Sequence, residues 1–363
     1  MSDNESRVTA VRRRPGRVAL WLWTGACVIA LLWVYPARAE VRIRAVFDQA
    51  DAALAIMERL AAGDAVTADH WSSLWQSEGY TRLLEREAAM GRDEGFGEKL
   101  EAWLSDPAIH GNVAAWRAAV ERFRSFDANG PGNRAAAYLP DGVELEASFY
   151  PVIKHTTNTF VYDLDNDPAI FMTVDPDDSA LFVESVLAHE LHHVGYAQCP
   201  EQDDLPSLSE EQRWVVRYLG IFGEGIATLA TAGGPLTHPH FYSTPDEWAV
   251  WERDVANVDD DHARIETFFL RVLDGRIPAA ERTGTVFSFI ASPDVPQGPA
   301  YTLGWKMAAL IERTLGRERL VDAICDPREF LTLYNEASAL TPAADATRLP
   351  VWSEEFLARL YAR

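Results

Sequence analysis

The chain has 363 residues, 48% hydrophobic and 11% aromatic. That is too much apolar material for a disordered protein and enough for one large domain or two ordinary ones. Lys and Arg number 33 against 55 Asp and Glu, a formal net charge of −22, and a chain this acidic repels phosphate backbones, which excludes nucleic acid as a partner.

Arg12, Arg13, Arg14 and Arg17 precede an uncharged run from Val18 to Tyr35, then Pro36 and an Ala37-Arg38-Ala39 cleavage pattern. Residues 1–39 therefore read as an export segment. The run is long for a signal peptide and just long enough to span a bilayer. Residues 18–35 are thus either removed, leaving Glu40 as the new N-terminus, or kept as a membrane anchor. Both readings put the rest of the chain outside the cytoplasm, periplasmic or secreted. Cys199 and Cys325 remain there. In an oxidising compartment they pair, or they stay as two buried thiols; spacing alone leaves both open.

Residues 40–128 are predicted as a helical N-terminal region. Val46, Ala50, Ala53, Met57 and Leu60 recur at helical spacing and stop at Gly63. Helical patterns return over Thr67–Leu84 and Leu100–Phe126. The run Asn129-Gly130-Pro131-Gly132-Asn133 is a strong breaker and is the predicted boundary. Residues 134–363 form the predicted catalytic region. Strands are expected within about 143–174, at Val143–Phe149, Thr159–Tyr162 and Ile170–Val174. A helix over about 179–197 follows, with Asp177, Asp178 or Ser179 as its cap. A second helix, about 210–232, opens on a Ser209-x-x-Gln212 capping box and stops at Gly233-Gly234-Pro235. Further helices complete the chain. The class is α+β, predominantly helical, with a small mid-chain sheet.

The first of these two helices carries His189-Glu190-Leu191-His192-His193. Positions i and i+4 share a helix face, so His189 and His193 can reach one ion. Glu190 lies about 100° round the helix, close enough to take a proton from a metal-activated water without ligating. Catalytic zinc sites usually have three protein ligands. A third His is not supplied by the extended H-E-x-x-H-x-x-G-x-x-H pattern, because Tyr196 and Cys199 occupy the Gly and His places. The second helix offers Glu224 instead, inside Gly223-Glu224-Gly225-Ile226-Ala227. Glycines at 220, 223 and 225 weaken a helix and point to close approach of a neighbour. An acid on this otherwise apolar helix needs a positive partner, and zinc is one.

His189-Glu190-x-x-His193 followed by Glu224 resembles the gluzincin metallopeptidases, among them a group of bacterial zinc-dependent peptidases. The likeness runs from about residue 45 to 340. It includes Trp71-x-x-Leu74-x-x-x-x-Gly79-Tyr80 and Tyr301-x-x-Gly304-Trp305-Lys306-Met307-Ala308. It implies a zincin-like core, with a small sheet beside the active helix and an edge strand, here Ile170–Val174, that binds extended substrate. It implies His189, His193 and Glu224 as ligands of Zn2+ and Glu190 as general base. Two departures stand out. Thr228 occupies the place where thermolysin-like members carry an Asp that supports a His. The Gly-x-Met-Glu-Asn motif of related aminopeptidases is missing, which favours an endopeptidase.

An oxyanion donor is still required. Tyr301 is the candidate, near a helix start set by Gly298-Pro299; His155, His238 and His240 are alternatives. His192 is expected to line the cleft or to support a ligand. The resulting expectation is an exported zinc peptidase acting on a peptide or protein. The rival readings are a zinc hydrolase of non-peptide amides or esters, and an inactive envelope binding protein stapled by its metal.

Overall fold

Val41, Ile43 and Ala45 alternate with Arg42 and Arg44, and this period of two forms a strand, β1 (Val41–Ala45). The computed structural model describes residues 41–292, 295–342, 348 and 350–361. The export or anchor segment read in residues 1–39 lies outside them.

A run of helices follows β1: α1 (Asp48–Ala62), α2 (Ala68–Trp75), α3 (Glu78–Ala89), α4 (Phe96–Leu104), α5 (Pro107–His110), α6 (Val113–Ser125) and α7 (Asn129–Ala136). Gly63 ends α1 in the left-handed conformation, φ 75°. The stretch 67–84, read as one helix, is two, because Ser77 caps α3 through a hydrogen bond from the Tyr80 amide.

Three strands come next: β2 (Leu145–Val152), β3 (Phe160–Tyr162) and β4 (Ala169–Thr173). The sheet order is β1-β2-β4-β3. β1, β2 and β4 run parallel, and β3 runs antiparallel to β4. Parallel neighbours require a crossover, and α1 to α7 form the crossover from β1 to β2.

This topology corrects two expectations. The predicted boundary at 129–133 does not part the N-terminal region from the sheet: Val41 pairs with Leu145 and Ala45 with Phe149. The breaker at 129–133 lies inside α7. Its Pro131 sits in the first helical turn, where a missing N–H costs nothing. Its Gly132 is required by contact, since a Cβ there would lie 2.5 Å from a Val41 methyl. The second correction concerns the edge. Ile170–Val174 is not an edge strand, because β4 pairs with β2 on one side and β3 on the other. All five of its residues are buried, as suits a strand covered on both faces. The edges of the sheet are β1 and β3.

The remainder is helical: α8 (Ala180–Tyr196), α9 (Glu210–Leu219), α10 (Gly223–Ala232), α11 (Pro245–Val255), α12 (Val258–Leu273), α13 (Ala279–Ile290), α14 (Pro299–Leu315), α15 (Arg317–Ala323), α16 (Pro327–Leu340) and α17 (Glu354–Arg359). The predicted helix 210–232 is interrupted by a 3-10 turn, Gly220–Phe222, which separates α9 from α10. α8 packs against the sheet, α7 and α10, and α10 packs in turn against α14. The class is α+β and predominantly helical, as expected. Among the described residues no helix is long and apolar enough to cross a membrane.

Cys199 and Cys325 form a disulfide across 126 residues, Cα to Cα 5.2 Å. It ties the segment after α8 to the turn before α16. Beside it the buried Arg328 guanidinium lies 2.7 Å from both Asp204 and Asp326.

Candidate metal centre

α8 begins at Ser179, whose hydroxyl accepts the Phe182 amide at 3.0 Å. Val183, Leu187, Leu191 and Val194 are buried, which fixes the rotation of the helix and turns His189 and His193 toward α10. Glu224 stands in the first turn of α10 between two glycines, each with a neighbour close by. A Cβ on Gly223 would lie 3.3 Å from the Tyr196 ring of α8. One on Gly225 would lie 2.0 Å from the Trp305 backbone nitrogen of α14. The glycines therefore let α10 sit between its two partners at near-backbone distance.

The result is convergence. His189 Nε2 lies 3.1 Å and His193 Nε2 3.2 Å from Glu224 Oε2, and the two nitrogens are 3.0 Å apart. These are near the edge of a tetrahedron with zinc–nitrogen bonds, about 3.3 Å. Two ring nitrogens and a carboxylate oxygen facing one point are also a chemically suitable donor set for that ion. Among the described residues they are the one group of three such side chains within metal-binding reach.

The electrostatics follow from burial and proximity. Burial disfavours charge on His193, but Glu224 overrides it and lifts His193 to about 9. Burial also opposes ionisation of Glu224, yet His193 and His189 hold it well below the usual carboxylate range. Glu190 is 7% exposed and outside the trio. Burial raises its pKa, with Glu224 adding to the effect and the two His opposing it. A carboxyl raised in this way is suited to accept and return a proton.

Tyr301 lies in the first turn of α14, and its ring stacks on His189 at 5.9 Å. Burial, then Glu224 and Glu190, push its hydroxyl well above the ordinary tyrosine range, so it remains a donor. Burial lowers His240, one of the alternative donors, to about 4, and His238 and His189 contribute to that shift. His238 stacks on Trp248 at 3.4 Å and meets Glu252 at 2.9 Å. His155 packs on Phe96 at 4.9 Å, in a different pocket lined by Glu87 and Asn158.

His192 does not line the cleft. It is fully buried, stacks on Tyr196, and its Nε2 faces the Tyr138 carbonyl at 3.3 Å. Burial drives it down to about 3, so it is a neutral packing residue between α8 and the end of α7. Thr228 donates to the Glu224 carbonyl of its own helix at 2.8 Å, so its hydroxyl is spent on the backbone.

One residue near the centre escaped the sequence reading. Tyr242 packs against Phe182 of α8 at 5.8 Å. The signal for it was the aromatic run His238-Pro239-His240-Phe241-Tyr242 after the helix that bears Glu224.

A helix-borne His pair, a Glu from a second helix and a buried carboxylate beside them make a donor set and base suited to metal-dependent hydrolysis. The chain belongs to the family described as "Putative zinc dependent peptidase (DUF5700)", whose sequence model matches residues 71–342. That span contains every residue of the centre. No curated protein and no solved structure matches the chain.

Proposed function

We propose that the protein is an exported zinc endopeptidase with a zincin-like core, in which His189, His193 and Glu224 hold the metal. The carrying observation is the convergence of His189 Nε2, His193 Nε2 and Glu224 Oε2 at 3.0–3.2 Å. Bound zinc supplies Lewis acidity, acidifying water and polarising a carbonyl. Glu190 takes the proton of the attacking water and delivers it to the leaving amine nitrogen. Tyr301 donates to the carbonyl oxygen as it gains charge. The strand edge beside α8 is β3, and an extended peptide has its free backbone groups to pair with there. Export is supported by the basic, apolar and Ala-x-Ala sequence at residues 12–39. The Cys199–Cys325 disulfide suits an oxidising compartment.

Metal content of the full chain, expressed for export and dialysed without chelator, is the test. The expected result is one zinc per chain and hydrolysis of an unfolded protein substrate that chelator abolishes. Glu190→Gln should keep the zinc and lower turnover about 10²- to 10⁴-fold. Zinc with no peptide cleavage but cleavage of esters or simple amides would favour a non-peptide hydrolase. Zinc with no hydrolysis at all would leave a metal-stapled binding protein. Folded protein that takes up no zinc would overturn the reading.

A further inference from the structure

The loop between α10 and α11 is built to hold one side chain still. Its His240 amide donates to His238 Nδ1 at 3.1 Å, and His240 Nδ1 meets Ser243 Oγ at 2.9 Å. His240 is anchored on Trp251 at 4.8 Å. Within this frame the Tyr242 ring is clamped by three others: Phe182 at 5.8 Å, Phe241 at 5.3 Å and His240 at 5.9 Å.

The hydroxyl of Tyr242 is treated differently from its ring. It has no hydrogen-bond partner among the described residues, and it is not one of the fully sealed polar atoms, so it keeps some contact with solvent. A buried phenol ordinarily finds a partner. Its place relative to the metal face follows from α8. Phe182 precedes His189 by seven residues, two helical turns, so both lie on one face about 10 Å apart along the axis. Tyr242 thus stands on the N-terminal side of the His189–His193 face. Its hydroxyl is raised by burial, then by Glu247 and Glu190, and it in turn acts on Tyr301. It is a neutral donor within electrostatic reach of Glu190 and Tyr301.

We infer that Tyr242 is a substrate-contacting residue: its rigidly held hydroxyl donates a hydrogen bond to a backbone carbonyl of a peptide lying along the metal face of α8. This rests on the peptidase reading. A clamped ring loses little freedom on binding, so the donor adds affinity at small entropic cost.

Tyr242→Phe tests it, because only the hydroxyl is removed. Two probes are compared by calorimetry on the full, zinc-loaded chain. A tripeptide hydroxamate engages both the metal and the cleft, and acetohydroxamate engages the metal alone. The expected result is binding of the tripeptide probe weakened about three- to tenfold, with acetohydroxamate affinity, zinc content and Tm unchanged. A variant that binds the tripeptide probe like wild type overturns the inference. So does one that weakens both probes alike or loses zinc, since Tyr242 would then act through the metal site or the fold. Wild type that binds acetohydroxamate but not the tripeptide probe overturns it too. Failure of the peptidase reading is seen earlier, as wild type without zinc before any probe is added.

Discussion

Gly225 and Gly304 meet backbone to backbone where α10 crosses α14. A Cβ on Gly304 would stand 3.2 Å from the Gly225 Cα and 2.8 Å from the Phe222 carbonyl oxygen. This crossing sets the distance between Glu224, one residue before Gly225, and Tyr301, one turn before Gly304. Backbone cannot swing aside as a side chain can, so Gly225→Ala should destabilise by about 3 kcal/mol or more and weaken zinc binding. Gly284→Ala is the control. Gly284 sits in α13 with nothing near its missing Cβ, and there alanine should stabilise by roughly 0.5–1 kcal/mol. Urea unfolding of the two variants measures the contrast.

Metal removal should lower stability as well as activity. His189, His193 and Glu224 already converge in the fold, so zinc held there as proposed would bind the native state in preference to the unfolded chain. Free zinc at one hundred times its dissociation constant adds about 2.7 kcal/mol. A melting scan with and without chelator should show the drop. His193→Ala and Glu224→Ala should lose the dependence on zinc.

The Cys199–Cys325 bridge closes a loop of 126 residues. Replacing both cysteines by serine should cost about 2–5 kcal/mol. Reductant should lower the Tm of wild type toward that of the double variant and leave the variant itself unmoved.

Asp178 gives a pH signature. Burial, then Asp175, push its carboxyl up to about 7, with Glu247 and Asp177 adding and Arg122 opposing. The folded state therefore holds this proton more tightly than the unfolded chain, whose Asp titrates at about 3.9. Its contribution to stability is fully present below about pH 4 and is lost as pH rises through about 7. Asp178→Asn mimics the protonated form. It should melt above wild type at pH 8, with the gap closing toward pH 4, as thermal scans across that range would show.

The elements that proved legible in the sequence share a cause. The His189–His193 pair rests on the 3.6-residue repeat of one helix, and its cap at Ser179 and the Gly63 stop are likewise local. Glu224 was legible for another reason. Glycines on both sides of an acid, in an apolar helix, signal a close neighbour and a buried charge in need of a cation. The sequence did not reveal which neighbour, because Trp305 lies 80 residues away in the chain from Gly225. Gly132 was misread on the same ground. Its composition says loop, while its contact with Val41 says packing.

His192 and Tyr242 show the limit at the centre itself. His192 adjoins His193 in sequence, but one step round a helix is about 100°, and that rotation buries it against the end of α7. Tyr242 follows Glu224 by eighteen residues; the aromatic run around it marks the segment, but only the tertiary structure folds it back onto Phe182.

The sequence by itself picked out His189, His193 and Glu224 as candidates, the helix that carries the two His and the α+β class, since each depends on periodicity and residue chemistry within one or two turns. Only the tertiary structure decided that β1 joins the sheet, that β3 rather than β4 is its free edge near α8, and that α8, α10 and α14 meet closely enough to bring His189, His193, Glu224 and Tyr301 together. Strand order and helix crossings are set by complementarity between surfaces far apart in the chain, and no single segment encodes its partner's shape.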